Sequence, residues 1–221
     1  MRNLFYTLVL VSSFSFGQIE RDLGDFSKIT SFDRINVLLV LSDQNKILLE
    51  GDDASEVELI NKNGELKVRM PISKMLNGDK ITATIFFKEI SEVEANEGSV
   101  ISCTDLLKSL SFSIIAKENS EVKLFIDTEK LSVKCANRSK VILEGSATYQ
   151  DVFLNTGGIY EAEKLETEVT TVSCNAGGTA NIKASNLVDA KVKAGGNITV
   201  FGNPKQIKES VIAGGNIKQA E

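Results

Sequence analysis

The stretch Val172-Ser173-Cys174-Asn175-Ala176-Gly177-Gly178-Thr179-Ala180-Asn181-Ile182 decides the fold. On either side of its Ala-Gly-Gly centre apolar residues alternate with polar ones, so an extended chain carries Val172, Cys174, Ala180 and Ile182 on one face. The arrangement recurs roughly every 19 residues from Val93 to Gln219, with no motif copied outright. Its anchors are small residues: Ser99, Ser120, Ser139, Gly158, Gly178, Gly196 and Gly215. Four positions before them stand Ala95, Ala116, Cys135, Leu154, Cys174, Val192 and Val211; two positions after stand Ile101, Val122, Val141, Tyr160, Ala180, Ile198 and Ile217. Six before and four after are apolar too, until Glu209 and Gln219 in the last unit.

Each unit therefore reads as two short strands meeting at a tight Ser or Gly-Gly corner, followed by a looser third stretch marked by Leu110, Leu131, Tyr149, Leu165, Leu187 and Ile207. Such units are too short for helical repeats and lack the leucine-rich signature. The fold expected is all-β: a single-stranded right-handed parallel β-helix of six to seven coils, each stacked about 4.8 Å above the last. The alternative is an antiparallel sandwich of short alternating strands.

Residues 1–17 pair Arg2 with an apolar run from Leu4 to Val11 and a Ser/Phe/Gly-rich exit, the pattern of a cleavable secretory signal. That run is too short for a membrane helix, and no later run is longer, so no membrane span is expected in the mature chain. Residues 18–31 read as a linker and 32–221 as the β-helix domain, with an N-terminal capping β region at 32–90 and the coils at 91–221. Within the cap, Phe32 to Leu41 reads as one long strand and Lys46 to Glu50 as a second, after the turn Asp43-Gln44-Asn45. Asp52 to Ile60 reads as a short helix capped by Asp52 or Asp53. Asn63-Gly64 reads as a hairpin turn, Pro71 to Lys80 as a loop and Ile81 to Phe87 as a strand.

The chain has 25 basic and 30 acidic side chains, a net charge of −5, and loss of Arg2 with the leader takes it to −6. Scattered basic residues in an acidic chain exclude a nucleic-acid footprint. Histidine is absent altogether, which removes Ser-His-Asp and Cys-His nucleophilic sites and histidine zinc sites. The Gly-Gly pairs recur at corners and lack phosphate-loop spacing. Cys135 and Cys174 share a column but lie two coils apart, about 9.6 Å by strand spacing, too far for a disulfide. They and Cys103 read as small buried residues. Glu161 stands alone in its outward column, Ser102, Lys123, Ile142, Glu161, Asn181, Thr199 and Lys218, and reads as a solvated charge. Asp52, Asp53 and Glu56 form the densest acidic group, which capping explains. Asn155, Asn175, Asn197 and Asn216 read as corner residues. No catalytic, cofactor-binding or metal-ligating residue is assigned, and no cofactor is expected.

Phe32-Asp33-Arg34-Ile35-Asn36-Val37, Leu48-Leu49-Glu50-Gly51-Asp52, Asn63-Gly64-Glu65-Leu66-Lys67-Val68, Gly195-Gly196-Asn197-Ile198 and Gly214-Gly215-Asn216-Ile217 occur in an order and spacing that resembles the bacterial family called putative auto-transporter adhesin, head GIN domain. The resemblance covers Phe32 to Ala220 and implies an exported β-solenoid with an adhesin-like role; it brings no catalytic residues with it. The chain ends within the last repeat, so a C-terminal membrane barrel is not expected. Three functions follow from these readings. The first is a non-enzymatic exported protein, periplasmic, outer-membrane-associated or extracellular, that binds a glycan or another protein. The second is a carbohydrate-active enzyme, which needs converging carboxylates. The third is a structural module that forms homo-oligomers. With 11 Phe, 3 Tyr and no Trp, the chain has little material for a sugar-stacking platform.

Overall fold

The computed structural model describes residues 18–220; the signal read at residues 1–17 lies outside the described residues. In chain order the strands are β1 (Ile19–Asp22), β2 (Lys28–Ser31), β3 (Asn36–Leu41), β4 (Lys46–Glu50), β5 (Glu58–Lys62), β6 (Glu65–Arg69), β7 (Thr82–Phe87), β8 (Glu92–Ala95) and β9 (Val100–Ala116). There follow β10 (Glu121–Ala136), β11 (Lys140–Asn155), β12 (Ile159–Asn175), β13 (Thr179–Lys183), β14 (Leu187–Lys193), β15 (Asn197–Phe201), β16 (Gln206–Ile212) and β17 (Asn216–Gln219). From β8 onward every pairing is parallel, which excludes the sandwich and gives a solenoid of about seven turns with roughly 19 residues per coil.

The columns read from the sequence are the columns of the fold. Ala95 pairs with Ala116, and Cys135, Leu154, Cys174, Val192 and Val211 continue that row. Ile101, Val122, Val141, Tyr160, Ala180, Ile198 and Ile217 form a second row, its members from Ile101 to Ile198 fully buried. Stacking like on like at strand spacing gives a continuous apolar interior in which each coil covers its neighbour. All three cysteines are free and buried, with Leu154 between Cys135 and Cys174.

The third stretch differs from its expectation. In β9 to β12 it is not a separate strand but the middle of a ladder 16 to 17 residues long. Its inward row is Phe112, Leu131, Gln150, Thr170, Val188 and Ile207, whereas Leu110 and Tyr149 point to solvent. The cause is a phase change that the long strands make at one level: two consecutive residues, Leu110-Ser111, Glu129-Lys130 and Thr148-Tyr149, turn away from the core before the inward row resumes.

At each corner two consecutive residues adopt left-handed backbone before the small anchor: Glu118-Asn119 before Ser120, Asn137-Arg138 before Ser139 and Thr156-Gly157 before Gly158. For non-glycine residues this conformation costs about 1 kcal/mol or more each. It is held by hydrogen bonds that run from coil to coil, Asn119 N–H to Asn137 O at 3.0 Å, Arg138 N–H to Thr156 O at 3.0 Å and Gly157 N–H to Ala176 O at 3.1 Å. The anchor turns inward, where Ser120 Oγ donates to Ala95 O at 2.8 Å and Ser99 Oγ to Ser31 O at 3.1 Å. At Gly158 no side chain fits, since a Cβ would stand 2.3 Å from Cys135 O.

The N-terminal region closes one end but not in chain order. β2 lies between β6 and β8, and β3 between β7 and β9, so the coil of β6 and β7 stacks outside the earlier coil of β2 and β3. Antiparallel β4 then covers β7, β1 covers β4 and β5 covers β6. Residues 18–31, read as a linker, therefore contribute two strands to the domain. The strand expected from Phe32 begins at Asn36, because Asp33 and Arg34 make a left-handed corner. Asp33 is 3% exposed, and its carboxylate accepts Met70 N–H at 2.9 Å and Leu76 N–H at 2.8 Å, tying the 70–81 loop to the coil beneath. The helix expected at Asp52 to Ile60 shrinks to one 3-10 turn, Ala54–Glu56; Asp53 precedes it in left-handed backbone without a side-chain cap, and β5 takes the rest.

Gly158→Ala is expected to lower unfolding stability by about 1–3 kcal/mol, the cost of overpacking against backbone that cannot yield. Urea unfolding followed by circular dichroism measures it, with Thr179→Ala, on a half-buried strand position, as the comparison that shifts the midpoint less.

Candidate functional site: a groove at an open strand edge

One stretch of the ribbon lacks a neighbour on one side. β9 pairs with β3 as far as Cys103 and with β8 only from Ser113, so residues 104–112 face a gap on that side while β10 pairs them on the other. The gap arises because the chain leaves the coil at Leu41 to form the cap and leaves it again at Phe87, returning only at Glu92. The extra residues Thr104 and Asp105 finish off β3, the Asp105 carboxylate accepting Leu41 N–H at 2.9 Å. Beyond that point the edge is bare and borders a groove of about 660 Å³. Its apolar wall comes from Leu41, Phe87, Ile90, Leu106, Leu107 and Leu110. Leu41 is 53% and Leu110 80% exposed, unlike the buried row beneath them. Lys88, Glu89 and Lys108 also line the groove, and among the described residues neither lysine is in an ion pair.

The groove combines a hydrophobic floor with main-chain groups that can donate and accept, the usual ingredients of a recognition site. Sequence reading does not reach it, since Leu110 there only marks the third stretch and Leu41 only ends a strand. The available signal was the Leu106-Leu107 doublet, which breaks the alternation of β9 where the bulge lies.

Other charged residues are placed in structural roles. Beside the groove, Lys28 contacts Glu92 at 2.9 Å, Glu94 at 2.8 Å and Glu65 at 3.5 Å, while Lys117 reaches Glu94 at 3.1 Å, so four strands are clamped across one face. Burial alone would depress Lys28, but its carboxylate partners raise it well above the ordinary lysine range. Glu161 pairs with Lys140 at 2.9 Å rather than standing free. Its column is intact in the order read from the sequence. The acidic group near Asp53 is neutralised: Lys74 reaches Asp53 at 2.9 Å and Glu56 at 2.8 Å, and Lys80 reaches Asp52 at 3.3 Å. The four asparagines split into two rows, Asn155 beside Asn175 and Asn197 beside Asn216, and make no single ladder. Among the described residues no group of three metal-ligating side chains converges.

Inside the solenoid lies a polar network that the sequence did not announce. Tyr160, fully buried, donates to Gln150 Oε1 at 2.5 Å; Gln150 Nε2 donates to Thr170 Oγ1 at 3.2 Å. Thr170 and Thr167 share a hydrogen bond of 2.8 Å, and Thr167 Oγ1 donates to Lys183 O at 2.6 Å. Every member has a partner, so the network fixes the register of the strands it joins instead of forming a reactive centre. Burial pushes the thiols of Cys103 and Cys135 up to about 11 and that of Cys174 to about 12, which keeps them protonated and unreactive.

Comparisons with known proteins agree with this geometry. The family model described as putative auto-transporter adhesin, head GIN domain, matches residues 25–204. A solved structure from Bacteroides fragilis, described as a putative adhesin, is 23% identical, with a TM-score of 0.85 over 93% of this chain and 98% of its own. A putative adhesin from Parabacteroides merdae is 18% identical, TM-score 0.69, over 93% and 96%. A protein from Parabacteroides distasonis described as a putative lipid binding protein is 16% identical, TM-score 0.70, over 93% and 96%. At these identities the likeness establishes the fold. No curated protein matches the chain.

The clamp around Lys28 gives stability an acid dependence. Burial would raise the Glu94 carboxyl, but hydrogen bonds from Lys28 and Lys117 hold it below the usual carboxylate range, and those to Glu65 from Thr30 and Lys67 do likewise. Their contribution is present above the unfolded carboxylate value of about 4.5 and is lost as pH falls through the lower folded values. Denaturation midpoints should therefore drop below about pH 4.5. Glu94→Gln should cost about 1 kcal/mol at pH 7 and flatten that acid limb, as measured by urea unfolding from pH 2 to 7.

Proposed function

The chain belongs to that family, and on this premise we propose that it is a non-enzymatic, adhesin-like binding protein, exported to the cell envelope or surface, that engages its partner at the groove beside β9. The observation that carries the reading is the groove itself, an apolar recess beside a stretch of β9 that no strand covers on the side of the preceding coil among the described residues. The leader pattern at residues 1–17 supports export. Among the described residues no helix is long and apolar enough to cross a membrane. The carboxylates that could serve glycoside chemistry are taken up in ion pairs, which favours binding over hydrolysis.

A second reading is favoured by the six apolar side chains lining the groove: it would hold the acyl chain of an amphiphile, in keeping with the lipid-binding description of one structural relative.

The test is binding of fluorescently labelled mature protein to whole cells of the producing bacterium. Leu110→Asp is expected to reduce binding about tenfold or more, since it places a charge in the desolvated recess. Ile72→Asp, at a site 82% exposed on the cap loop, should leave it unchanged. Equal binding by both variants and the parent contradicts the groove as the binding site, and no binding by any of them contradicts the adhesin-like reading.

A further inference from the structure

We propose that the groove accepts an extended peptide segment of a partner protein, which adds to the open edge of β9 as one more strand; this names the partner class for the binding reading above and rests on it. The main chain carries the argument. Ser113 N–H donates to Ser91 O and Lys117 N–H to Ala95 O, both toward the preceding coil. In a strand, alternate residues turn their N–H and C=O to the same side, and in these coils it is the outward-facing residues that donate to the preceding coil; the alternation breaks at Leu110-Ser111, both outward, so the groups aimed into the groove are those of Leu106 and Lys108 before the break and Ser111 after it. No strand pairs with them there among the described residues, and β10 takes up the alternate groups on the other side.

Each remaining feature fits an extended chain better than a single acyl tail. The open run from Leu106 to Ser111 would span about 20 Å as a strand, room for five or six residues. Its floor is not one continuous slot: Leu41 and Phe87 stand at one end, Ile90 and Leu110 at the other, so apolar side chains at alternate peptide positions find separate seats. Lys88 and Lys108, two lining lysines against the one carboxylate of Glu89 and in no ion pair among the described residues, favour a segment carrying an acidic residue. An acyl chain would bury the leucines but leave the main-chain donors and acceptors of Leu106, Lys108 and Ser111 without partners in a dewetted recess, which is costly. A peptide satisfies both. The bulge at Thr104 and Asp105 ends the open run and sets where the added strand begins.

The experiment pans a random dodecapeptide phage library on the mature protein, with counter-selection on the Leu110→Asp variant. Selected peptides are then synthesised with every second amide N-methylated, in the two alternative sets. Expected are sequences with alternating apolar residues, and a loss of affinity of about tenfold or more for one methylated set, the one facing β9, with little change for the other. If both sets bind like the parent peptide, contact is by side chains alone and strand addition is wrong. If no peptide is enriched, or dodecanoate binds and the selected peptides do not compete with it, the occupant is not a peptide strand. In either case cell binding that still depends on Leu110 leaves the groove reading standing, whereas cell binding indifferent to Leu110→Asp removes that reading and the proposal together.

Discussion

Each coil of this protein must supply hydrogen-bond partners for the main chain of the next, and the rest of the structure follows from that demand. A single 19-residue turn of ribbon has no core of its own and two bare edges; stacked in register it has both. The corners show how strictly the demand is enforced. Non-glycine residues such as Glu118, Asn137 and Arg138 accept left-handed backbone there because the corner amides can then reach the carbonyls of the following corner. Small anchors follow, as serines where an inward hydroxyl finds a carbonyl and as Gly158 where the carbonyl of Cys135 leaves no room.

The two ends answer the same demand differently. At the N-terminal end antiparallel strands are laid over the first coil, and Asp33 is buried to hold the loop that makes this possible. At the other end β16 and β17 each pair on one side only, and Val211 and Ile212 are about half exposed where their columns run out. Between the ends the demand goes unmet at residues 104–112 of β9, which no strand covers on the side of the preceding coil among the described residues. That opening is a by-product of the cap: the chain leaves the coil at Leu41 to build closing strands and later passes from β7 to β8 through residues 88–91 alone, so no strand covers that stretch of β9. Closure of the fold and the opening of the groove thus have one origin.

Much of the architecture was legible in the sequence, and the reason is physical. Stacked positions share one environment, so Ala95 to Val211 and Ile101 to Ile217 could be aligned by their apolar character around a small residue that a tight corner requires. The terminal coil was legible through Glu209 and Gln219 for the same reason. What could not be read were the places where alternation is interrupted. In the third stretch two consecutive residues turn outward, Leu110-Ser111 in β9 and Thr148-Tyr149 in β11, so the markers Leu110 and Tyr149 are not the inward residues and Gln150 and Thr170 take that row. The order of β6, β2 and β8 escaped as well, since a local pattern carries no information on which neighbour a strand takes. The groove was invisible because no residue motif makes it; a missing strand does.

Native-state hydrogen exchange, resolved to single amides, tests the central claim most directly. If β9 is open between Cys103 and Ser113, the amides of Leu106, Lys108 and Ser111 exchange orders of magnitude faster than those of Ser113 and Lys117, which share their strand side but have partners. Uniform protection from Val100 to Lys117 would mean that the edge is closed, and the account of the groove would be wrong.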